Sequence, residues 1–355
     1  MDVLVIGAGP TGCIAARKLT ENHKVKIFQE KAEKRVRCAG LVSKSGIERL
    51  SIKLRKIIIK NQVRGALLYP PSGDVIEIDG RTTKAYVIDR IEFDQFLLNS
   101  VIDKGVNLIE KRITDKDIKN SKADRIIIAT GTNYNLQRKL NLQFPREFII
   151  GAQYGMKIEC DPNLVELHFN VPDFFSWVIP VGDYARIGLC VKGNPMPHLN
   201  NFVKRLRKEG RIKSDRILNR NFGIIPIYSP RLKTDYGKIV LVGDAAGQVK
   251  ASTGGGIVTG GIAARFSGEM DYEVKWRKEI GRELYLHLII HRFLSTLSEK
   301  NLSRLFSLVR DYKGVIEDRG DMDIASKTLR AIFRNPKFTA RFLIHLPSCL
   351  FDFIM

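Results

Sequence analysis

At 355 residues, 44% of them hydrophobic, the chain is long and apolar enough to bury one substantial core or two lobes, which excludes a disordered polypeptide. Lys plus Arg number 59 against 38 Asp plus Glu, a formal charge of +21, so some face should attract an anion: phosphate, nucleic acid or an acidic membrane. Five scattered cysteines, odd in number and without a CxxC pair, indicate neither a zinc site nor a disulfide framework and fit a reducing cytoplasm.

The chain opens MDVLVIGAGPTGCIAARKLTENHKVKIFQEK. Val3–Ile6 predicts a buried strand, Gly7-Ala8-Gly9-Pro10-Thr11-Gly12 a turn, Cys13–Leu19 the start of an alanine-rich helix, and Val25–Phe28 a second strand ending near Glu30. In that order Gly7 permits the tight turn, Gly9 lets backbone approach a pyrophosphate, and Gly12 lets helix pack on strand. Unpaired N–H groups at the helix start suit the phosphates. Glu30 stands where a carboxylate accepts from a ribose 2′-hydroxyl. An isolated GxGxxG is no more than a tight turn, but strand, helix and acid all flank this one. A site for the ADP-ribose half of FAD or NAD is therefore expected. The first residues lack the basic and apolar regions of a signal peptide, and no apolar run reaches the roughly 18 residues that a bilayer span needs. A cytoplasmic chain that does not cross a membrane is the expectation.

Basic residues gather between Lys44 and Arg64, and again in KRLRKEGRIKSDRILNR, Lys204–Arg220. Aromatics are not interleaved there, so no nucleic-acid partner is expected; solvated helix faces and a surface facing an anionic membrane both fit. Period-two patterning in RGALLYPPSGDVIEI (Arg64–Ile78) and over Gly151–Val191 predicts a second sheet that roofs a substrate cavity. The strand Ile239–Val242 then delivers Asp244 to its carboxyl end, the edge at which open α/β sheets bind ligands. Thr253-Gly254-Gly255-Gly256-Ile257 follows, ahead of an Ala/Gly-rich helix. A carboxylate at that edge suits a ribityl hydroxyl, and bare amides around Gly255, Gly256 and Ile257 suit a flat ring that gains negative charge on reduction. NAD has no ribityl chain, so the two glycine segments together indicate FAD. The alternative is a plain strand–turn–helix in which Asp244 is a cap. From Val274 the pattern turns helical, as in WRKEIGRELYLHLIIHRFLSTL. The final FLIHLPSCLFDFIM is too short to span a bilayer and too apolar to leave in water, so it lies on a membrane or caps the cavity.

The pairing of VIGAGPTG with LVGDAAG and GGGI, together with VIDRIEFDQFL (Val87–Leu97), CAGLVS (Cys38–Ser43) and FFSWVIPVGDYARIGL (Phe174–Leu189), resembles the FAD-dependent geranylgeranyl reductases, a branch of the para-hydroxybenzoate hydroxylase-like flavoproteins. The resemblance runs from Met1 to about Gly268. It implies an α/β (α+β) chain with a Rossmann-type FAD-binding lobe, an antiparallel-sheet substrate lobe and a C-terminal helical segment. The lobe boundaries that fit are 1–60, 88–135 and 220–275 for FAD, 61–87 and 136–219 for the substrate sheet, and 276–355 for the helices. By resemblance, FAD contacts fall on Thr11, Glu30, Cys38, Ala39, Leu41, Arg90, Ile113, Asp244, Gly256 and Ile257, while Cys38 and the Trp177 region border the space where prenyl chain meets flavin. The chain departs from the family at Phe175 and Ile179, where Tyr and Phe are usual, at Leu41, where Gly is common, and at Lys250-Ala251-Ser252, where Asn-Pro is frequent.

Simpler roles compete at several positions. Cys38 could be a space-filler, Trp177 and Phe175 ordinary sheet-face aromatics, and Arg90 an ion-pair partner of Asp89 or Asp94. The implied function is saturation of geranylgeranyl double bonds on an archaeal-type, prenylated phospholipid precursor by a peripheral, membrane-associated enzyme. Its electron donor would be ferredoxin or NADPH. The alternatives are an aromatic monooxygenase of the same fold, using NADPH and oxygen in a compact polar pocket, and a non-enzymatic prenyl-lipid binder.

Overall fold

The computed structural model describes residues 1–30 and 37–354. Met355, the last residue of the apolar C-terminal stretch, lies outside them. Strand β1 (Asp2–Ile6), helix α1 (Pro10–Leu19) and strand β2 (Lys24–Gln29) form the opening unit, as the sequence predicts. Around it a six-stranded sheet runs in the order 235–236, 239–241, 125–128, β1, β2, 107–110. All pairs are parallel except the terminal 235–236/239–241 hairpin. Its centre, Ile126-Ile127-Ile128, is fully buried, the continuous apolar run expected of a parallel strand covered on both faces. Arg125 begins that strand yet is buried, and its guanidinium donates to the carbonyls of Ser267 (3.0 Å) and Glu269 (2.7 Å), closing the lower end of the sheet.

A second sheet has seven strands in the order 219–226, 148–156, 185–191, 176–180, 164–168, 65–69, 76–79. It is antiparallel apart from the 164–168/65–69 pair. The stretch Asn219–Pro226, expected with the nucleotide lobe, is its edge strand and pairs with Phe148–Gly155. The reason is long-range pairing, which local patterning does not encode. Conversely, the helix Asn135–Lys139, expected with the substrate sheet, packs under the first sheet: Leu136 joins the Ile6, Ile126 and Ile128 core, and Gln137 Nε2 donates to the Ala245 carbonyl at 2.8 Å. A three-stranded sheet of 41–43, 85–88 and 59–63 links the two. Beyond Val274 the described chain is helical, ending in Arg282–Thr296, Glu299–Asp311, Lys313–Arg319, Ala325–Phe333 and Pro336–Ile354. Among the described residues no helix is long and apolar enough to cross a membrane.

The basic stretch Lys204–Arg220 is partly consumed inside the fold. Arg211 pairs with buried Glu166 and Arg205 Nη2 lies 2.8 Å from His168 Nδ1, while Arg207 pairs with exposed Asp215.

Candidate functional site

Three parallel strands end side by side, with Ile6 beside Ile128 and Ile128 beside Leu241, so the turns that follow them share one sheet edge. Each glycine of the first turn is fixed differently. Gly7 has φ +108°, and a Cβ there would lie 2.3 Å from the Ala129 carbonyl. A Cβ on Gly12 would lie 1.9 Å from the Gly7 carbonyl, so α1 sits directly on the turn. At Gly9 no protein atom lies within 4 Å of a Cβ; the residue opens onto a cavity of about 1340 Å³. Gly9 is also the N-cap of α1 and supplies no side-chain cap, which leaves first-turn N–H groups without partners from that source.

The second glycine segment meets the first through Thr11. A Cβ on Gly243 would lie 2.7 Å from Thr11 Oγ1, and one on Gly260, in the helix Ile257–Ala264, 2.8 Å from Gly243 Cα. That helix likewise starts on a glycine, Gly256, with no side-chain cap. Asp244 lies between the two helix starts. Among the described residues nothing hydrogen-bonds to its carboxylate, although Tyr134 Oη donates to its backbone carbonyl at 3.2 Å. Burial raises the Asp244 carboxyl above the usual carboxylate range, and the Arg90 charge pulls the other way. A half-buried carboxylate on the cavity with no protein donor among the described residues, flanked by two uncapped helix starts and open glycine backbone, fits a dinucleotide with a ribityl chain.

The cavity is lined by Gly7, Gly9, Thr11, Glu30, Cys38, Ala39, Leu41, Arg90, Ile113, Trp177, Asp244, Gly255, Gly256 and Ile257, so it brings together every candidate except Gly12, which packs behind the turn. Glu30 is exposed at the end of β2, 3.6 Å from Arg112. Arg90 makes a two-pronged pair with Asp94 at 2.9 and 3.0 Å and faces Cys38. The ion pair and the cavity position coexist: the pair is sunk in the cavity wall, not on the surface. Cys38 Sγ accepts from the Gly40 amide at 3.3 Å, and the loop is pinned from the second sheet by Arg186, which donates to the carbonyls of Ala39 and Ile88.

Above this floor stands an aromatic wall. Phe174 and Phe175 stack at 4.1 Å, and Trp177 meets Phe175 edge-on at 6.3 Å. Trp177 lies across Gly188 of the neighbouring strand, where a Cβ would come within 2.6 Å of the indole. Its Nε1 donates to Gln153 Oε1 at 3.0 Å, which leaves Gln153 Nε2, buried and on the cavity, without a partner among the described residues. Sequence reasoning missed Gln153, Arg186, and a buried cluster of Lys250, Asp323 and Ser43, because each acts across a long sequence separation with no local motif.

No family model matches the chain. Digeranylgeranylglycerophospholipid reductase of Methanococcus aeolicus is 27% identical over 386 residues, spanning 96% of this chain and 97% of that protein. An uncharacterised protein of Methanocaldococcus jannaschii is 30% identical over 363 residues, 91% of this chain and 92% of that protein. Among solved structures, a geranylgeranyl bacteriochlorophyll reductase-like protein from Thermoplasma acidophilum superposes with a TM-score of 0.79 at 22% identity, covering 97% and 98% of the two chains. The flavin-dependent brominase Bmp2 has a TM-score of 0.65 at 15% identity, covering 95% and 98%. The last two show the fold, which is shared with a flavin-dependent enzyme, the brominase. With relatives matched over nearly their whole length, the chain belongs to the geranylgeranyl reductase family.

Proposed function

We propose that the cavity binds FAD and that the protein is a reductase that saturates carbon–carbon double bonds in the geranylgeranyl chains of archaeal-type phospholipid precursors. The observation that carries this reading is the convergence, on one aromatic-walled cavity, of two uncapped glycine helix starts and an Asp244 carboxylate unpartnered among the described residues, in a chain several of whose curated relatives are named digeranylgeranylglycerophospholipid reductase. At about 1340 Å³ the cavity exceeds the roughly 300–1,000 Å³ of an ordinary ligand pocket, which suits a cofactor plus a long chain.

Reduced flavin, when bound, supplies a hydride. The chain's own residues do the rest. Asp244 would accept from a ribityl hydroxyl and Glu30 from the ribose, and the turn at Gly255, Gly256 and Ile257 would face developing negative charge with the N–H groups of Gly256 and Ile257, the Gly255 N–H being held by Thr253 Oγ1 at 3.4 Å. Thr11, Ala39, Leu41 and Ile113 shape the cofactor's bed, and Arg90, braced by Asp94, lies against Cys38. Phe174, Phe175 and Trp177 exclude water from the reacting bond. An isolated alkene offers no carbonyl to hold negative charge, so protonation must accompany or lead hydride delivery. We assign Cys38 and Trp177 to the end of the cavity where that happens. With a single dinucleotide fingerprint taken by FAD, electrons arrive from ferredoxin or NADPH outside this site. We assign the FAD lobe to residues 1–60, 88–139 and 227–275, with Asn219–Pro226 moved to the substrate sheet and the helix Asn135–Lys139 moved to the FAD lobe. The apolar wall favours a lipid over the compact polar pocket that a monooxygenase would need.

The test is anaerobic. Protein carrying chemically reduced flavin should add two hydrogens per bond to a geranylgeranylated phospholipid, read by mass spectrometry. An unchanged lipid, with NADPH and oxygen consumed on an aromatic compound, would establish the monooxygenase instead, and lipid binding without turnover a carrier.

A further inference from the structure

Lys250 is 4% exposed and Asp323 and Ser43 are each 3% exposed, yet all three reach the cavity. The Lys250 ammonium pairs with one Asp323 oxygen and donates to the Met322 carbonyl at 2.9 Å. The other Asp323 oxygen accepts from Ser43 Oγ, which in turn accepts from the Gly46 amide at 3.0 Å. Lys250 also closes the glycine turn through its backbone: its N–H donates to the Gly255 carbonyl (3.1 Å) and its carbonyl accepts from Gly254 (2.8 Å). Its side chain curls beneath that turn, so that a Cβ on Gly255 would lie 2.9 Å from Lys250 Cε and 3.1 Å from Nζ, with Asp323 further off.

Stability alone does not account for this arrangement. A buried ion pair rarely outperforms apolar residues of the same volume, because two charges must first be taken out of water. The turn itself uses only the backbone atoms of Lys250, so its side chain is free for another role. With the Gly254 and Gly255 N–H groups spent on the Lys250 carbonyl (2.8 Å) and on Thr253 Oγ1 (3.4 Å), a buried ammonium beneath the turn points to electrostatic work toward the cavity.

We propose that Lys250 is the charge this chain sets behind the Gly254–Gly256 turn to stabilise the negative charge that a flavin ring gains on reduction. Asp323 and Ser43 are the positioning pair that holds it. The C-terminal helical region therefore completes the cofactor site, through Met322 and Asp323. This inference rests on the reading that the cavity binds flavin.

The test measures the affinities of oxidised and of reduced FAD separately, under anaerobic conditions, for the wild type and for the double variant Lys250→Met, Asp323→Asn. The double variant removes both charges while keeping shape, so it avoids an unpaired buried carboxylate. The ratio of the two affinities should fall about tenfold against reduced FAD, a midpoint potential about 30 mV more negative for a two-electron couple. Lys250→Arg, which keeps the charge, should retain most of the wild-type ratio. If the double variant weakens both forms equally, or leaves both unchanged, Lys250 is a structural clamp and the inference is overturned. A wild-type protein that binds neither form would instead overturn the reading of the cavity as a flavin site.

Discussion

Gly7 and Gly12 are glycines because protein atoms occupy the space a side chain would take, whereas at Gly9 that space is open cavity. The difference separates a folding constraint from a binding one. Gly7→Ala and Gly12→Ala should each lower stability by several kcal/mol, on the order of a buried-site disruption, because the obstructing atoms are backbone. Gly9→Ala should fold like the wild type and lose flavin affinity. Asp244→Ala should also fold, with flavin bound about 1.5–3 kcal/mol more weakly through loss of a charged hydrogen bond. Thermal melts and fluorescence titration with FAD check all four; a Gly9→Ala protein with unaltered flavin affinity would remove the pyrophosphate assignment. These positions were legible in the sequence because their spacing is local. Lys250, Gln153 and Arg186 were not, since each takes its meaning from a partner placed by tertiary structure: Arg186 reaches Ala39 across 147 residues and Lys250 reaches Asp323 across 73.

Among whole elements, the C-terminal helix Pro336–Ile354 poses a solvation problem. Leu343 and Ile344 are 55% and 73% exposed, and Phe333 just before the helix is 40% exposed. Lys337, Arg341 and Ile344 recur at the i, i+4, i+7 spacing of one helical face, and all three are exposed. Exposed Leu343 and Ile344 beside Lys337 and Arg341, the latter also paired with Asp311, are the mixed apolar and basic chemistry of an interfacial helix. The protein should therefore float with anionic vesicles and less with neutral ones, and raised salt should weaken the attachment by screening exposed charge. Leu343→Asp with Ile344→Asp should abolish it without changing flavin content. Equal, salt-insensitive binding to both vesicle types would sink the idea. The sequence marked this helix by composition alone; that the helical region also inserts Asp323 behind the glycine turn was hidden, because the segment that does so is a polar connection without periodicity.

For the whole molecule, the sequence disclosed both lobes because each has its own period: a continuous apolar run for the parallel sheet and alternation for the antiparallel one. It did not disclose how their strands interleave along the chain, which is why Asn219–Pro226 was expected in the wrong lobe. The joined assembly has a signature in its pH dependence. His287 joins the helix Arg282–Thr296 to the glycine turn through Ser252, whose Oγ lies 2.6 Å from His287 Nδ1. Burial first, and the Lys250 charge second, lower its pKa from 6.5 to about 4. The folded protein thus keeps this imidazole neutral, while the unfolded chain takes up a proton near pH 6.5. The unfolded state binds more protons between those values, so stability is full above pH 6.5 and declines as pH falls toward 4. At about 1.4 kcal/mol per pH unit, His287 alone contributes a loss on the order of 3 kcal/mol across the window. His168, in the second sheet, and His291, facing Phe174, are also lowered by burial and add to the same slope. Carboxylates held low, Glu166 and Asp323 among them, act only at more acidic pH. Asp244, raised by burial, takes up its proton in the folded state before the unfolded chain does and opposes this slope. The urea midpoint should therefore begin to fall near pH 6.5 only as far as the histidines outweigh Asp244, and His287→Gln should flatten that decline relative to the wild type. A His287→Gln variant with the wild-type slope from pH 6.5 to 4.5 would show that His287 is not held neutral where the helical region meets the glycine turn.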